Sequence, residues 1–255
     1  MRHLLVINPN TSTSVTSLLR THAQATVGTD VQVHATTARF GAPYIACEAS
    51  YAVAAHAVLD AWAEALAEAR PAPDAVLIGC FGDPGLWALR DSSPVPVTGL
   101  AEAAFTEAAR HGRFAIVTGG ARWAPMLQRL AQAQGHASAL AGIHTVQPTG
   151  AELAADRASA RTLLARACRE AARLLNAQAV ILGGAGLAGL AASLQHEVEV
   201  PVIDSVQAGA RQALRAVSAA STVMGDGRRV AGFDVPWSGL SHEMAALSPP
   251  GHTQQ

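Results

Sequence analysis

Hydrophobic residues fall along this chain in two alternating textures. Short runs of leucine, isoleucine and valine are separated by longer alanine-rich stretches whose apolar positions recur every three or four residues. The first texture predicts strands at 3–8, 31–36, 75–79, 95–98, 114–118, 140–146, 179–183 and 200–203. Continuous apolar runs are what a parallel strand covered on both faces requires. The second texture predicts helices at 12–26, 49–69, 100–111, 122–134, 151–175 and 204–219. Thr11, Ser12 or Thr13 is placed to cap the first helix, and Asp204 or Ser205 the last long one. Strict alternation of this kind implies βαβ units, hence an α/β fold with parallel sheets covered by helices.

The pattern is also written twice. LLVIN from Leu4 is answered by FAIVT from Phe114, AVLIGC at 75–80 by AVILGG at 179–184, and PVTGLAEAA from Pro96 by PVIDSVQAG from Pro201. A duplication of this length predicts two pseudo-symmetric, doubly wound lobes. The expected division is an N-terminal lobe over 1–100, a C-terminal lobe over 101–210, a segment 211–245 that packs back on the first lobe, and a frayed polar tail over 246–255. Ligands of open parallel sheets sit beyond the carboxyl ends of the strands. The loops at 8–13, 80–86, 118–122 and 184–189 are therefore expected to line a cleft between the lobes. Of the two equivalent glycine-rich loops, one carries Cys80 and the other Gly184.

Composition removes several kinds of chemistry. The net charge is −1 and there is no basic run, so nucleic acid and anionic membrane have no electrostatic handle. No apolar segment approaches a signal peptide or the roughly 20 residues of a membrane span; a soluble cytoplasmic protein is expected. The three cysteines are odd in number and widely spaced, which argues against a disulfide framework or a zinc site. All 18 basic residues counted as Lys or Arg are arginine. Without a lysine there is no pyridoxal phosphate Schiff base, no class I aldolase and no Walker A loop. Pairs such as His196/Glu199 and His56/Asp60 lack a third ligand, so no metal is expected.

Cys80 is the candidate reactive group. At a strand end, before Gly82-Asp83-Pro84-Gly85, its sulfur is expected near backbone N–H groups and a helix N-terminus, an environment that lowers a thiol pKa. Cys47 and Cys168, on alanine-rich helices, read as small buried hydrophobes. Asn10 and Thr11 in the first loop, with Thr118 and Gly119 in its counterpart, offer amides and hydroxyls suited to a carboxylate or imide. Residues 184–189 fit G-x-G-x-x-G, with Asp204 at the spacing of a ribose-binding acid. Their position late in the chain and the capping role open to Asp204 count against a dinucleotide site.

VINPNTS near the start, GCFGDPGL at 79–86, Thr118 and LGGAGLAGL at 182–190 followed by PVID together resemble the Asp/Glu/hydantoin racemase superfamily, and within it the hydantoin and allantoin racemases. The likeness extends to about residue 220. It implies a two-lobe fold, cofactor-independent catalysis, a homo-oligomer, and two cysteines facing each other across the cleft, one removing a proton beside a carbonyl and the other delivering one to the opposite face. Cys80 matches the first. Gly184 stands at the second, where a two-base reaction needs an acid; Asp83 and Asp204 are the candidates to replace it. Phe81, Gly82, Ala185 and Gly186 complete the expected substrate-binding set. The related arylmalonate decarboxylases, with one cysteine, and maleate isomerases, with a nucleophilic one, make a single-cysteine lyase, decarboxylase or isomerase the alternative. A non-catalytic small-ligand sensor is the reading from a different class.

Overall fold

A computed structural model of the protein describes residues 1–68, 71–223, 232–233 and 237–248. Strand β1 (Arg2–Asn8) pairs with β2 (Val31–Thr37) and β3 (Ala75–Ile78), and β4 (Val97–Gly99) lies beside β3. The second sheet repeats this with β5 (Phe114–Gly119), β6 (Leu140–Val146), β7 (Ala179–Leu182) and β8 (Val202–Asp204). The orders are β2-β1-β3-β4 and β6-β5-β7-β8, and every pairing is parallel. The expected α/β architecture of two like lobes is thus present.

The helices are α1 (Thr13–Val27), α2 (Glu48–Ala67), α3 (Leu86–Ser92), α4 (Leu100–Ala109), α5 (Trp123–Ala133), α6 (Gly150–Ala155), α7 (Arg157–Leu174), α8 (Leu190–Leu194), α9 (Ser205–Val223) and α10 (His242–Ala245). Ser12 caps α1 through its side chain. The single helix expected at 151–175 is two. Asp156 has φ −124° and ψ 82°, outside helical space, and its carboxylate caps α7 at the Ser159 amide. Thr149 and Glu152 form a reciprocal capping box that starts α6. Helices α3, α8 and α10 were not expected, being too short for a 3.6-residue period to declare itself. No described helix is long and apolar enough to cross a membrane.

Helices α4 and α9 join the two sheets. Helix α4 follows β4 of the first sheet yet packs against β7 and β8 of the second; α9 follows β8 yet packs against β3 and β4. The two also lie against each other. A single apolar cluster accordingly takes Leu4 and Leu77 from one sheet, Ile116, Ile181 and Ile203 from the other, and Phe105 between them. The outer faces have their own cores, around Trp62 and Leu86 in the first lobe and Leu164, Cys168 and Leu194 in the second. Helix α10 returns to α2, where Arg39 bridges buried Asp60 and Glu243. Leu247 packs beside it. Residues 224–231 and 234–236 of the returning segment, and 249–255 of the expected tail, lie outside the described residues.

Phe105 is fully buried, stacks on Phe114 of β5 at 5.7 Å and meets Phe81 edge-on at 6.0 Å. It therefore holds both the seam and the loop after β3. Phe105→Ala should cost about 3–5 kcal/mol, read as a lower denaturation midpoint at unchanged slope.

Candidate active site

Strand register places the two glycine-rich loops in equivalent positions. Ile7 pairs with Ile78 and Val117 with Leu182. One residue later the Gly79 amide donates to the Ile7 carbonyl at 2.7 Å, and the Gly183 amide donates to the Val117 carbonyl at 2.9 Å. Beyond these last rungs the chain leaves each sheet, at Cys80 in one lobe and Gly184 in the other. Both line a cavity of about 430 Å³ walled by residues of both lobes.

Asn10, Phe81, Thr118, Ala185 and Gly186 line the same cavity. Buried Asn8 donates through Nδ2 to Asn10 Oδ1, to the Ser12 carbonyl and to Thr16 Oγ1, which fixes the first loop. The Ser12 amide donates to Asn10 Oδ1 as well. Asn10 Nδ2, the Thr118 hydroxyl and the Cys80 thiol have no hydrogen-bond partner among the described residues, and all three residues line the cavity. The first amides of the 3-10 turn at Ala185–Leu187 have no acceptor within that turn. Thr11, Gly82 and Gly119, also expected here, do not line the cavity. The Thr11 amide is spent on Ala42, the Gly82 amide on the Cys80 carbonyl, and the Gly119 carbonyl accepts from Tyr44.

The thiol environment is the reverse of the one expected. Burial pushes the Cys80 pKa well above its ordinary value, and the Asp83 carboxylate adds to the rise. Backbone N–H groups are expected near the sulfur, but the amides of Gly82 and Asp83 both donate to the Cys80 carbonyl oxygen. The following helix, α3, has only seven residues. Cys80 rests as a thiol.

Asp83 and Asp204 are not acids on the opposite face, for neither lines the cavity and both carboxylates are occupied. Asp83 is fully buried and caps α4: Oδ1 accepts from the Ala101 amide at 2.9 Å, and Oδ2 from the Glu102 amide at 2.8 Å and from Gln134 at 3.2 Å. Asp204 caps α9 by accepting from the Val206 and Gln207 amides, and its other oxygen accepts from the Gly189 amide at 2.7 Å. Each carboxylate ties a glycine-rich loop to the helix after the neighbouring strand. The dinucleotide spacing of Asp204 has this structural cause.

Gly184 leaves real space. A β-carbon there would touch only Leu187, at 3.4 Å. The backbone, however, has φ +147° and ψ 133°, a region that side chains rarely enter. Its amide donates to Ser205 Oγ at 3.3 Å.

Residues 4–213 match the Asp/Glu/hydantoin racemase family. The chain belongs to that family. It is 34% identical over 211 residues to the hydantoin racemase of Paenarthrobacter aurescens, covering 82% of this chain and 89% of that one. The allantoin racemase of Klebsiella pneumoniae superposes with a TM-score of 0.85 at 30% identity, over 98% and 100% of the two chains. That of Pseudomonas fluorescens gives 0.81 at 28%, over 86% and 92%.

Some wall residues carried no sequence signal. Tyr44 and Trp123 line the cavity, and the Tyr44 hydroxyl accepts from the Gly150 amide at 3.1 Å, joining a first-lobe loop to α6. Arg157 enters from the start of α7, far in sequence from Cys80. Cys168 is buried as expected, its pKa pushed up to about 12 by burial. Cys47 instead sits half-buried at the start of α2, where Ser50 lowers its pKa, and it does not line the cavity.

Asp83 gives this site a pH signature. Burial pushes its pKa up to about 7 against the pull of the Ala101 and Glu102 amides and Gln134. The folded value lies above the unfolded one, so this carboxyl favours the fold most at low pH, and the contribution is lost as pH rises through 7. The unfolding free energy of wild type minus that of Asp83→Asn should fall between about pH 4 and pH 7 and then level off. Denaturant titrations across that range measure it; a difference that grows with pH would mean a charge stabilised in the fold.

Proposed function

We propose that this family member moves a proton to and from a single face of a carbon next to a carbonyl, through the thiol of Cys80 and without a cofactor. The substrate is a small amino-acid-derived carboxylate or a hydantoin-like ring. What carries the reading is the contrast at two register-equivalent positions, a thiol with no hydrogen-bond partner at Cys80 and an open glycine at Gly184.

Asn10 Nδ2 and the Thr118 hydroxyl hold the substrate's carbonyl or carboxylate. The amides of Ala185 and Gly186 face the enolate oxygen, stabilising the charge that develops there. With Cys80 Sγ on one side, loss of the thiol proton to water gives a thiolate that takes the proton from the substrate carbon and leaves that bonding pair as the enolate; the regenerated thiol exchanges its proton with water and returns one to the same face. Two-base inversion needs an acid on the other face, and the position that would supply it has none.

One feature favours a second reading within the same chemistry. Burial disfavours the Cys80 thiolate, so the group keeps the proton that a protonation step needs. Loss of CO₂ from a substrate carboxylate would leave its bonding electrons as an enolate, and Cys80 would then protonate that carbon. A decarboxylase or other lyase is thus the alternative to exchange at an existing C–H bond.

Exchange of the C5 proton of hydantoins in deuterated water, followed by proton NMR, tests the role of Cys80. Cys80→Ala should lose about 10²–10⁴-fold in rate over background; exchange undiminished in that variant removes the thiol from the mechanism. Gly184→Cys should not create a two-base enzyme. It should instead cost about 1–3 kcal/mol of stability, read in denaturant, because the backbone at φ +147° accommodates no side chain without strain.

A further inference from the structure

The cavity wall contains one charged side chain among the described residues, Arg157. It is half-buried, and its Nη2 donates to the Ala188 carbonyl at 2.9 Å, which anchors the guanidinium beside the loop that follows Gly184. Among the described residues Nε and Nη1 have no partner, and none offers a carboxylate within ion-pair distance. Arg39, Arg90, Arg129, Arg161, Arg166, Arg169 and Arg211 each pair with Asp or Glu, whereas Arg20, Arg173 and Arg215 also form no ion pair among the described residues but do not line the cavity. Arg157 is tied down at one nitrogen and left open at the others, facing a cavity.

The rest of the wall sharpens what such a cation would meet. No aspartate or glutamate among the described residues lines the cavity, so a ligand ammonium would find no counter-charge from them. The polar groups are neutral: Asn10, Ser12, Ser14, Tyr44 and Thr118. In a chain without lysine, a guanidinium is the only permanently charged group that can receive an anion. Guanidinium and carboxylate match in shape and form paired hydrogen bonds that a neutral amide does not reproduce.

We infer that Arg157 selects the substrate: it receives a carboxylate on the substituent remote from the reacting carbon, and the substrate's own nitrogen is uncharged, as in a ring or N-carbamoyl derivative rather than a free amino acid. The favoured class is a hydantoin whose C5 substituent ends in a carboxylate. The inference rests on the proposed function only for which carbon faces Cys80.

The test uses an isosteric pair, 5-(carboxymethyl)hydantoin and 5-(carbamoylmethyl)hydantoin, which differ in charge and hardly in size. Wild type should favour the acid by tenfold or more in kcat/KM for C5 exchange, mostly through KM, and added salt should narrow the gap. Arg157→Gln should bring the ratio of the two close to one, and Arg157→Lys should leave an intermediate ratio, since the charge stays but the paired geometry goes. Equal handling of the pair by wild type, or a ratio unchanged in Arg157→Gln, overturns the inference. Calorimetric binding of the same pair to Cys80→Ser separates this from the chemistry. An acid preference in binding with no exchange by wild type keeps Arg157 and discards the proton transfer; exchange with no acid preference does the opposite.

Discussion

Two buried carboxylates hold this structure's functional geometry. Parallel strands end in loops with few backbone partners, and a loop carrying a reactive group must be fixed by something else. Here Asp83 reaches from the loop after β3 to the start of α4, and Asp204 reaches from the end of β8 to the start of α9 and to the loop after β7. The duplicated lobes thus solve one problem with the carboxylate placed on opposite partners. Register makes Gly99 the counterpart of Asp204. A β-carbon at Gly99 would collide with the Asp83 carboxylate, so that clasp closes only over glycine. Helices α4 and α9 are also the pair that join the sheets, so the clasps bind the site to the common core.

The clasp has a chemical consequence for Cys80. The same turn that fixes the thiol places a carboxylate near it, and both groups are buried. A thiolate there is disfavoured first by lost solvation and then by Asp83. Under the proposed function, this thiol and the open glycine of the other loop make a one-sided proton source. Gly184, at the position register-equivalent to Cys80, has a backbone conformation suited to glycine.

The architecture was legible because it is periodic. Apolar runs marked the eight strands, and the repeat between AVLIGC and AVILGG singled out Cys80 and Gly184 before any register was known. What was illegible is long-range. Asp83 reads as a turn residue before proline, and its capping of Ala101 and Glu102, eighteen or more residues away, leaves no local pattern. The amides near Cys80 were foreseen, but not that its own carbonyl takes them. Asp156 divides a helix that apolar spacing makes continuous, and that division is what starts α7 at Arg157 and brings its side chain to the cavity. Burial, which dominates the thiol's pKa, is a property of the assembled fold and not of the residues beside Cys80.

One-sided proton transfer separates two events that a two-base racemase couples, exchange of the proton and inversion of the centre. Incubating a single enantiomer of a slowly epimerising hydantoin in deuterated water, then resolving the product by chiral chromatography with mass detection, reads both at once. The account predicts deuterium at C5 in the starting enantiomer, with inversion no faster than in the absence of protein. Inversion keeping pace with deuterium uptake would contradict it and require an acid on the face where Gly184 lies.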